Sequence, residues 1–143
     1  MEKAVPRSAR DSFDHTRLDV YNLSFEFFKD ARALAIRLHG IDSVLKLQFM
    51  RAALSIQLNI AEGSGELRPK EKGRFYRMAR RSADECSALL DDIAWVLKLR
   101  PADLEPLFVK LRRMITMLIQ LDRKMQLRFE ADKAKKARRK PQT

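Results

Sequence analysis

Apolar residues recur at helical spacing along most of this chain, and Gly and Pro interrupt it at few places. Stretches without either residue cover 7–39, 41–62, 74–100 and 107–140. None of them shows the sustained apolar–polar alternation expected of a strand, so we predict an all-α chain. The predicted helices span about 17–39, 43–63, 70–100 and 103–130. Because the connections between them are short, the helices are expected to form an antiparallel up-and-down four-helix bundle.

Residues at the predicted helix ends have recognisable roles. Gly40 suits the left-handed conformation that often ends a helix. Asp42 or Ser43 can cap the helix that follows, with a side-chain oxygen that accepts a free backbone N–H. For the fourth helix we expect Asp103 as the N-cap and Pro106 in the first turn, where a missing N–H costs little.

The second predicted helix is apolar on two opposite faces. One face carries Leu45, Phe49, Ala52, Ile56 and Ile60, and the other carries Leu47, Met50, Leu54, Leu58 and Ala61. A bundle helix with one side in water needs only one apolar stripe. We therefore expect the second face to meet another subunit, with a homo-oligomer interface at Leu47, Met50, Leu54 and Leu58. The alternatives are a monomer in which this helix is central, or a fourth helix that packs across both faces.

The other helices carry one apolar stripe each. The stripe of the first helix is expected to be Tyr21, Phe25, Phe28, Ala35 and Leu38. Cys86 falls on the stripe of the third helix, which indicates a small buried core residue rather than a reactive thiol.

Positive charge is abundant and unevenly placed. Thirty Lys and Arg against nineteen Asp and Glu give a net charge of +11. Residues 133–143 hold six bases and no acid, and such a run of like charges is typical of a disordered segment. We therefore predict a basic disordered tail at 131–143. We also predict a flexible N-terminal segment at 1–16. A second surplus of bases lies at the start of the third helix. The predicted phosphate contacts are Arg74, Arg77, Arg81, Lys133, Lys135, Lys136, Arg138, Arg139 and Lys140. The alternative is a solvated helix face and a solubilising tail.

Residue patterns for several kinds of chemistry are missing. A single cysteine cannot form an internal disulfide, and the two histidines have no further metal-ligating residues at ligand spacing. The Gly63-Ser64-Gly65 segment lacks the Lys-Ser/Thr ending of a P-loop and is interpreted as a turn. We therefore expect no enzymatic activity, no metal and no cofactor. No apolar run approaches the ~18 residues of a membrane span, and the N-terminus lacks a signal-like apolar stretch, so we expect a cytoplasmic protein.

Three segments of the chain carry a family resemblance. They are LDVYNLSFEF at 18–27, AALSIQLNIAEG at 52–63 and RFYRMARRSADECSALL at 74–90. The chain resembles the bacterial four-helix-bundle family encoded by intervening sequences in large-subunit ribosomal RNA genes. The accessory variability determinant proteins of diversity-generating retroelements are relatives of that family. The resemblance implies a ring-shaped homo-oligomer, typically a pentamer, and nucleic-acid binding rather than catalysis.

Two functional hypotheses follow. The first is an oligomeric protein that binds RNA or DNA through the phosphate backbone, since Arg can hold phosphate with two hydrogen bonds and Lys acts as a point charge. Aromatic residues for base stacking are scarce, with only Trp95 and Tyr76 as candidates, so duplex or structured nucleic acid is favoured. The second hypothesis is an adaptor or scaffold that binds a protein partner.

Overall fold

Residues 8–141 are described by a computed structural model, and they form a four-helix bundle without strands. The helices are α1 (Asp19–Ile36), α2 (Ser43–Gly65), α3 (Pro69–Val96) and α4 (Glu105–Arg139). Short 3-10 turns lie at Arg10–Ser12, Asp14–Arg17 and Pro101–Leu104. In this part of the chain, no helix is both long enough and apolar enough to cross a membrane.

Capping and first-turn residues identified in the sequence have the expected roles at several helix ends. Asp42 caps α2 by accepting a hydrogen bond from the Leu45 backbone N–H at 2.9 Å. Gly40 has the expected positive φ, +73°, but α1 ends before it, at Ile36 rather than at residue 39. Pro106 lies in the first turn of α4, as predicted. The N-cap prediction for Asp103 is wrong, because α4 begins after Leu104. Asp103 instead accepts a hydrogen bond from the Arg100 backbone N–H at 2.9 Å and closes the preceding 3-10 turn.

The third helix ends at Val96, earlier than expected, and Lys98 then adopts the left-handed conformation with φ 54°. The Leu99 N–H donates to the Ala94 carbonyl at 2.7 Å across this reversal. A left-handed backbone costs a non-glycine residue about 1–2 kcal/mol, because Cβ approaches the following carbonyl oxygen.

Replacing Lys98 with Gly is therefore expected to stabilise the fold. The relief of backbone strain outweighs the added entropy of the unfolded chain, and we expect a net gain of about 0.5–1 kcal/mol in the free energy of unfolding. Urea denaturation followed by circular dichroism measures it. Lys98→Ala removes the same charge and keeps the strain, so it should change stability little, and equal effects of the two variants would contradict this interpretation.

The core lies between one face of each helix. Phe27 of α1 packs edge to face on Phe49 of α2, with ring centroids 6.4 Å apart, and the predicted core face of α2 is buried at Phe49, Ala52, Ile56 and Ile60. The predicted stripe of α1 is partly wrong. Phe25 is exposed, and the buried positions of α1 include Val20, Ser24, Phe27, Ala31 and Leu34. Ser24 is tolerated in the core because its hydroxyl donates to the Tyr21 carbonyl at 2.6 Å.

The segments predicted to lack structure differ from expectation. Residues 131–139, expected to be disordered, continue α4 as helix with exposed side chains. Ala131, Ala134 and Ala137 are strong helix formers, and bases near the C-terminus interact favourably with the helix dipole. The segment also extends a helix that is already packed, so no nucleation cost arises. In the N-terminal segment, 3-10 turns form from residue 10 onward, and residues 1–7 lie outside the described part.

Candidate functional site

A basic groove lies where the start of α3 meets the end of α4. Its volume is about 980 Å³. Five basic side chains line it, against two acidic ones, and Phe129 and Pro69 add apolar surface. The bases are Arg68, Lys70, Lys133, Lys136 and Lys140, and the acids are Glu71 and Asp132. We call this surface the basic groove.

A close approach of α3 to α4 positions the groove. A Cβ on Gly73 would lie 2.8 Å from Oδ1 of Asp122, so only glycine fits there without displacement of its neighbours. One turn further along α3, the Arg77 guanidinium donates to the same Asp122 oxygen at 2.7 Å. This contact holds the start of α3 beside α4 and places Nζ of Lys70 at 5.9 Å from the centre of the Phe129 ring.

The α2–α3 connection explains why one nearby lysine does not join the basic groove. The Lys72 ammonium donates to the carbonyls of Gly63 at 3.1 Å and Ser64 at 2.8 Å, and partial burial lowers the pKa of this lysine. Both glycines of the Gly63-Ser64-Gly65 segment lie in the last turn of α2 rather than in a separate turn, which corrects the prediction. A Cβ on Gly63 would lie 2.9 Å from the Tyr76 ring. The Lys72 ammonium therefore satisfies two backbone carbonyls in the last turn of α2 and does not line the basic groove.

The three predicted arginines of α3 share an exposed face but differ in their partners. Arg74 donates to Glu71 at 3.3 Å, and Arg77 is joined to Asp122. Arg81 is exposed and has no ion pair among residues 8–141. The stripe predicted from spacing is therefore present on the surface, while two of its three charges are offset by acidic neighbours.

The six predicted bases of the C-terminal segment divide into two equal sets. Lys133, Lys136 and Lys140 line the basic groove, and we call them the groove set. Lys135, Arg138 and Arg139 are exposed without lining this groove, and we call them the outer set. Sequence reasoning did not identify Arg68 or Lys70 as site residues. Their approach to α4 is a tertiary contact, which the spacing of residues within α3 does not reveal.

The predicted subunit interface on α2 is mostly exposed to solvent. Leu47, Leu54 and Leu58 are 51%, 40% and 49% exposed. Met50, the fourth predicted residue, is half-buried and packs against the core of the protomer. The three leucines form an apolar stripe on the outer side of α2, and we call it the α2 stripe.

The two candidates for base stacking have opposite environments. Tyr76 is buried in the core, where burial raises the pKa of its hydroxyl. Trp95 is 83% exposed in the last turn of α3, away from the basic groove at the start of that helix. Neither ring is placed to stack on a base held in the basic groove.

The described residues contain neither a metal-binding cluster nor an accessible thiol. No group of three or more His, Cys, Asp or Glu side chains there is arranged to hold a metal ion. Cys86 is fully buried in the core, and burial raises the pKa of its thiol to about 12. Since the thiolate is the reactive form of cysteine, this residue is unsuited to nucleophilic chemistry.

Cys86 is expected to be inert to a thiol reagent while the protein is folded. At pH 8, labelling should follow the rate of unfolding, because the thiol is both inaccessible and protonated. The raised native pKa also means that its contribution to stability is lost as the pH rises from about 9, the unfolded value, towards about 12. Rapid stoichiometric labelling under native conditions would contradict the observed burial.

Comparison with known proteins identifies the family. The family model described as 23S rRNA-intervening sequence protein matches residues 16–120. This chain belongs to that family. No curated protein matches it. The family match covers α1, α2, α3 and the first part of α4, so the basic groove joins α3 residues inside the match to α4 residues beyond it.

Proposed function

We propose that this member of the 23S rRNA-intervening sequence protein family is a non-enzymatic, homo-oligomeric cytoplasmic protein that binds the phosphate backbone of RNA or DNA. The observation that carries the proposal is the convergence of five bases, from the start of α3 and the end of α4, on the basic groove. Neutralisation of phosphates by Lys and Arg releases condensed counterions, and this release drives binding that does not depend on sequence.

The lining of the basic groove favours contacts to the backbone over contacts to bases. Four of its five bases are lysines, which act as point charges on phosphate, and the fifth is Arg68. Its aromatic ring, Phe129, already has the Lys70 ammonium nearby. Single-strand recognition depends on stacking platforms, so the surface is better suited to a duplex or a folded nucleic acid.

The α2 stripe supports the oligomeric part of the proposal. Three leucines on one outer helix face would be buried if copies of the chain packed there, and burial of apolar area stabilises association by roughly 25 cal/mol per Å². The family resemblance adds the expectation of a ring, typically a pentamer, and the short connections add that of antiparallel helices. A ring would multiply the basic grooves and strengthen attraction of a polyanion through the combined field.

Fluorescence anisotropy with labelled RNA and DNA duplexes of about 20 base pairs tests the proposed function. We expect both duplexes to bind at low salt, and protein purified at low salt to carry nucleic acid that nuclease or high salt removes. Protein with a normal 260/280 nm absorbance ratio that leaves the anisotropy of both duplexes unchanged would contradict the proposal.

A second candidate function, an adaptor for a protein partner, is favoured by a different observation. Trp95 is exposed at the end of α3 and lines a second groove, which is separate from the basic groove. A large aromatic side chain at an exposed position is a common anchor of protein interfaces.

A further inference from the structure

An apolar groove lies between the start of α2 and the end of α3. Its volume is about 480 Å³. Its apolar lining includes Trp95, Val44, Leu45 and Leu89, and its acidic lining is Asp42 and Asp92. Trp95 is 83% exposed and Val44 is 70% exposed, so large apolar side chains face solvent at this position. We call it the Trp95 groove.

The electrostatics of the Trp95 groove are opposite to those of the basic groove. Asp42 and Asp92 line it, and Asp91 is exposed next to Asp92. The C-terminus of α3 contributes the negative end of one helix dipole and the N-terminus of α2 the positive end of another, so these two contributions offset each other.

Among nearby bases, Arg100 is paired with Asp103 at 3.0 Å. Lys46 lies 3.3 Å from Nδ1 of His39, and Lys98 has no ion pair within residues 8–141. The three carboxylates therefore outnumber these two unpaired bases. A cationic ligand is therefore favoured here despite the positive charge of the whole chain.

The order of charges along α3 is not explained by helix stability. Bases cluster at 70–81 in its first half, and its second half carries Asp84, Glu85, Asp91 and Asp92. A helix is stabilised by acids near its N-terminus and bases near its C-terminus, by about 0.3–1 kcal/mol per charge. This helix has the reverse order. The separation of charge instead gives the two ends of the bundle different surfaces, one suited to polyanions and one suited to a cationic partner.

The basic segment of this chain cannot fill its own Trp95 groove. The groove set lies beside Lys70 at the start of α3, and α3 has 28 residues. At 1.5 Å per residue, this helix places about 40 Å between its two ends. Two Trp95 grooves pressed together would bring Asp92 of one copy against that of another, which is unfavourable. The basic segment of another copy, residues 131–140, has no apolar side chain larger than alanine to pack on Trp95. The occupant that fits is therefore a segment of a different protein.

We infer that the Trp95 groove is a docking site for a basic amphipathic helix of a partner protein. The apolar side chains of that helix pack on Trp95, Val44 and Leu89, and its Lys or Arg side chains face Asp42 and Asp92. A cation held over the Trp95 ring adds a cation–π contact. The inference deepens the second candidate function, the adaptor, and rests on it. It does not depend on the nucleic-acid proposal, because the two surfaces lie at different ends of α3.

Trp95 makes the test direct, because it is the only tryptophan in the chain. The full-length protein is titrated with a helical model peptide of Leu and Lys, about 14 residues long, and separately with its Leu and Glu counterpart. With the Leu/Lys peptide we expect a blue shift of Trp95 emission and reduced quenching by acrylamide. With the Leu/Glu peptide we expect emission to stay unchanged, although the net charge of the protein would attract that peptide.

A matched pair of variants tests the acidic side of the groove. Asp91→Asn with Asp92→Asn is expected to weaken binding of the Leu/Lys peptide about fivefold, as for the loss of two partly exposed charges. Asp84→Asn with Glu85→Gln makes the same charge change two turns earlier on the same faces of α3, and should change affinity less than about twofold.

Three results would overturn the inference. They are an unchanged Trp95 emission with the Leu/Lys peptide, equal responses to the two peptides, and a blue shift that appears when the protein alone is concentrated. The last result would assign the Trp95 groove to a second copy of the chain. RNA binding, measured separately by anisotropy, reports on the nucleic-acid proposal alone, so failure of one proposal is distinguishable from failure of the other.

Discussion

Leu54→Lys combined with Leu58→Lys is expected to convert the proposed oligomer into a folded monomer of 16.7 kDa. Both side chains are exposed in the protomer, so their replacement removes no core contact. At an interface between copies, the same changes would bury two unpaired ammonium groups on each chain, and removal of an unpaired charge from water costs several kcal/mol. Light scattering coupled to size exclusion measures the mass, and circular dichroism checks that the helices persist.

A control for this variant exists on α4. Thr116 and Gln120 are exposed and four residues apart, like Leu54 and Leu58. Lysine at both positions adds the same charge at the same spacing and should leave the oligomer intact. A wild-type protein that is already monomeric at micromolar concentration, or a Leu54/Leu58 variant with the wild-type mass, would show that the α2 stripe is not a subunit interface.

Replacing the groove set with glutamine is expected to weaken binding to duplex RNA by about 10- to 100-fold at low salt. Lys133, Lys136 and Lys140 share the basic groove with Arg68 and Lys70, so loss of three charges removes most of that positive surface. Three charge-assisted contacts to phosphate account for this range. Glutamine and lysine have similar helix propensities, so α4 should keep its length.

The outer set provides the control for the groove set. Glutamine at Lys135, Arg138 and Arg139 removes the same number of charges from the same helical segment. Because these residues do not line the basic groove, we expect affinity to fall less than about threefold, through the general field of the protein alone. If both variants lost affinity equally, the segment would act as an unstructured source of charge, and the basic groove would not be the site.

Much of the fold could be predicted because local rules decide it. Asp42 caps α2 through its own side chain, and Gly40 adopts a positive φ in the connection between α1 and α2. The two apolar faces of α2 could be predicted because both stripes lie within one helix and follow from residue spacing alone. The α1 stripe was misassigned at Phe25 because Ser24 is a polar residue in a core position. Its hydroxyl bonds to the helix backbone, and a hydrophobicity pattern does not register that bond.

The candidate site was less predictable because it depends on contacts between helices. Spacing along α3 predicted Arg77 as a phosphate contact, but it could not show that Asp122 of α4 pairs with this arginine. Charge density predicted disorder beyond residue 130, yet alanines and the packed part of α4 extend the helix. The grouping of Arg68 with the groove set appears only when the close approach at Gly73 brings α3 beside α4. The sequence therefore identified three of the five bases of the basic groove, but not their grouping with Arg68 and Lys70.

The salt dependence of duplex RNA binding shows whether the basic groove binds nucleic acid through phosphates. Between about 50 and 200 mM salt, we expect the logarithm of the binding constant of the wild-type protein to fall linearly with the logarithm of salt concentration. For the groove-set variant we expect a slope shallower by about three, one for each lost phosphate contact. A wild-type affinity that does not change with salt, or an identical slope for the groove-set variant, would contradict the account.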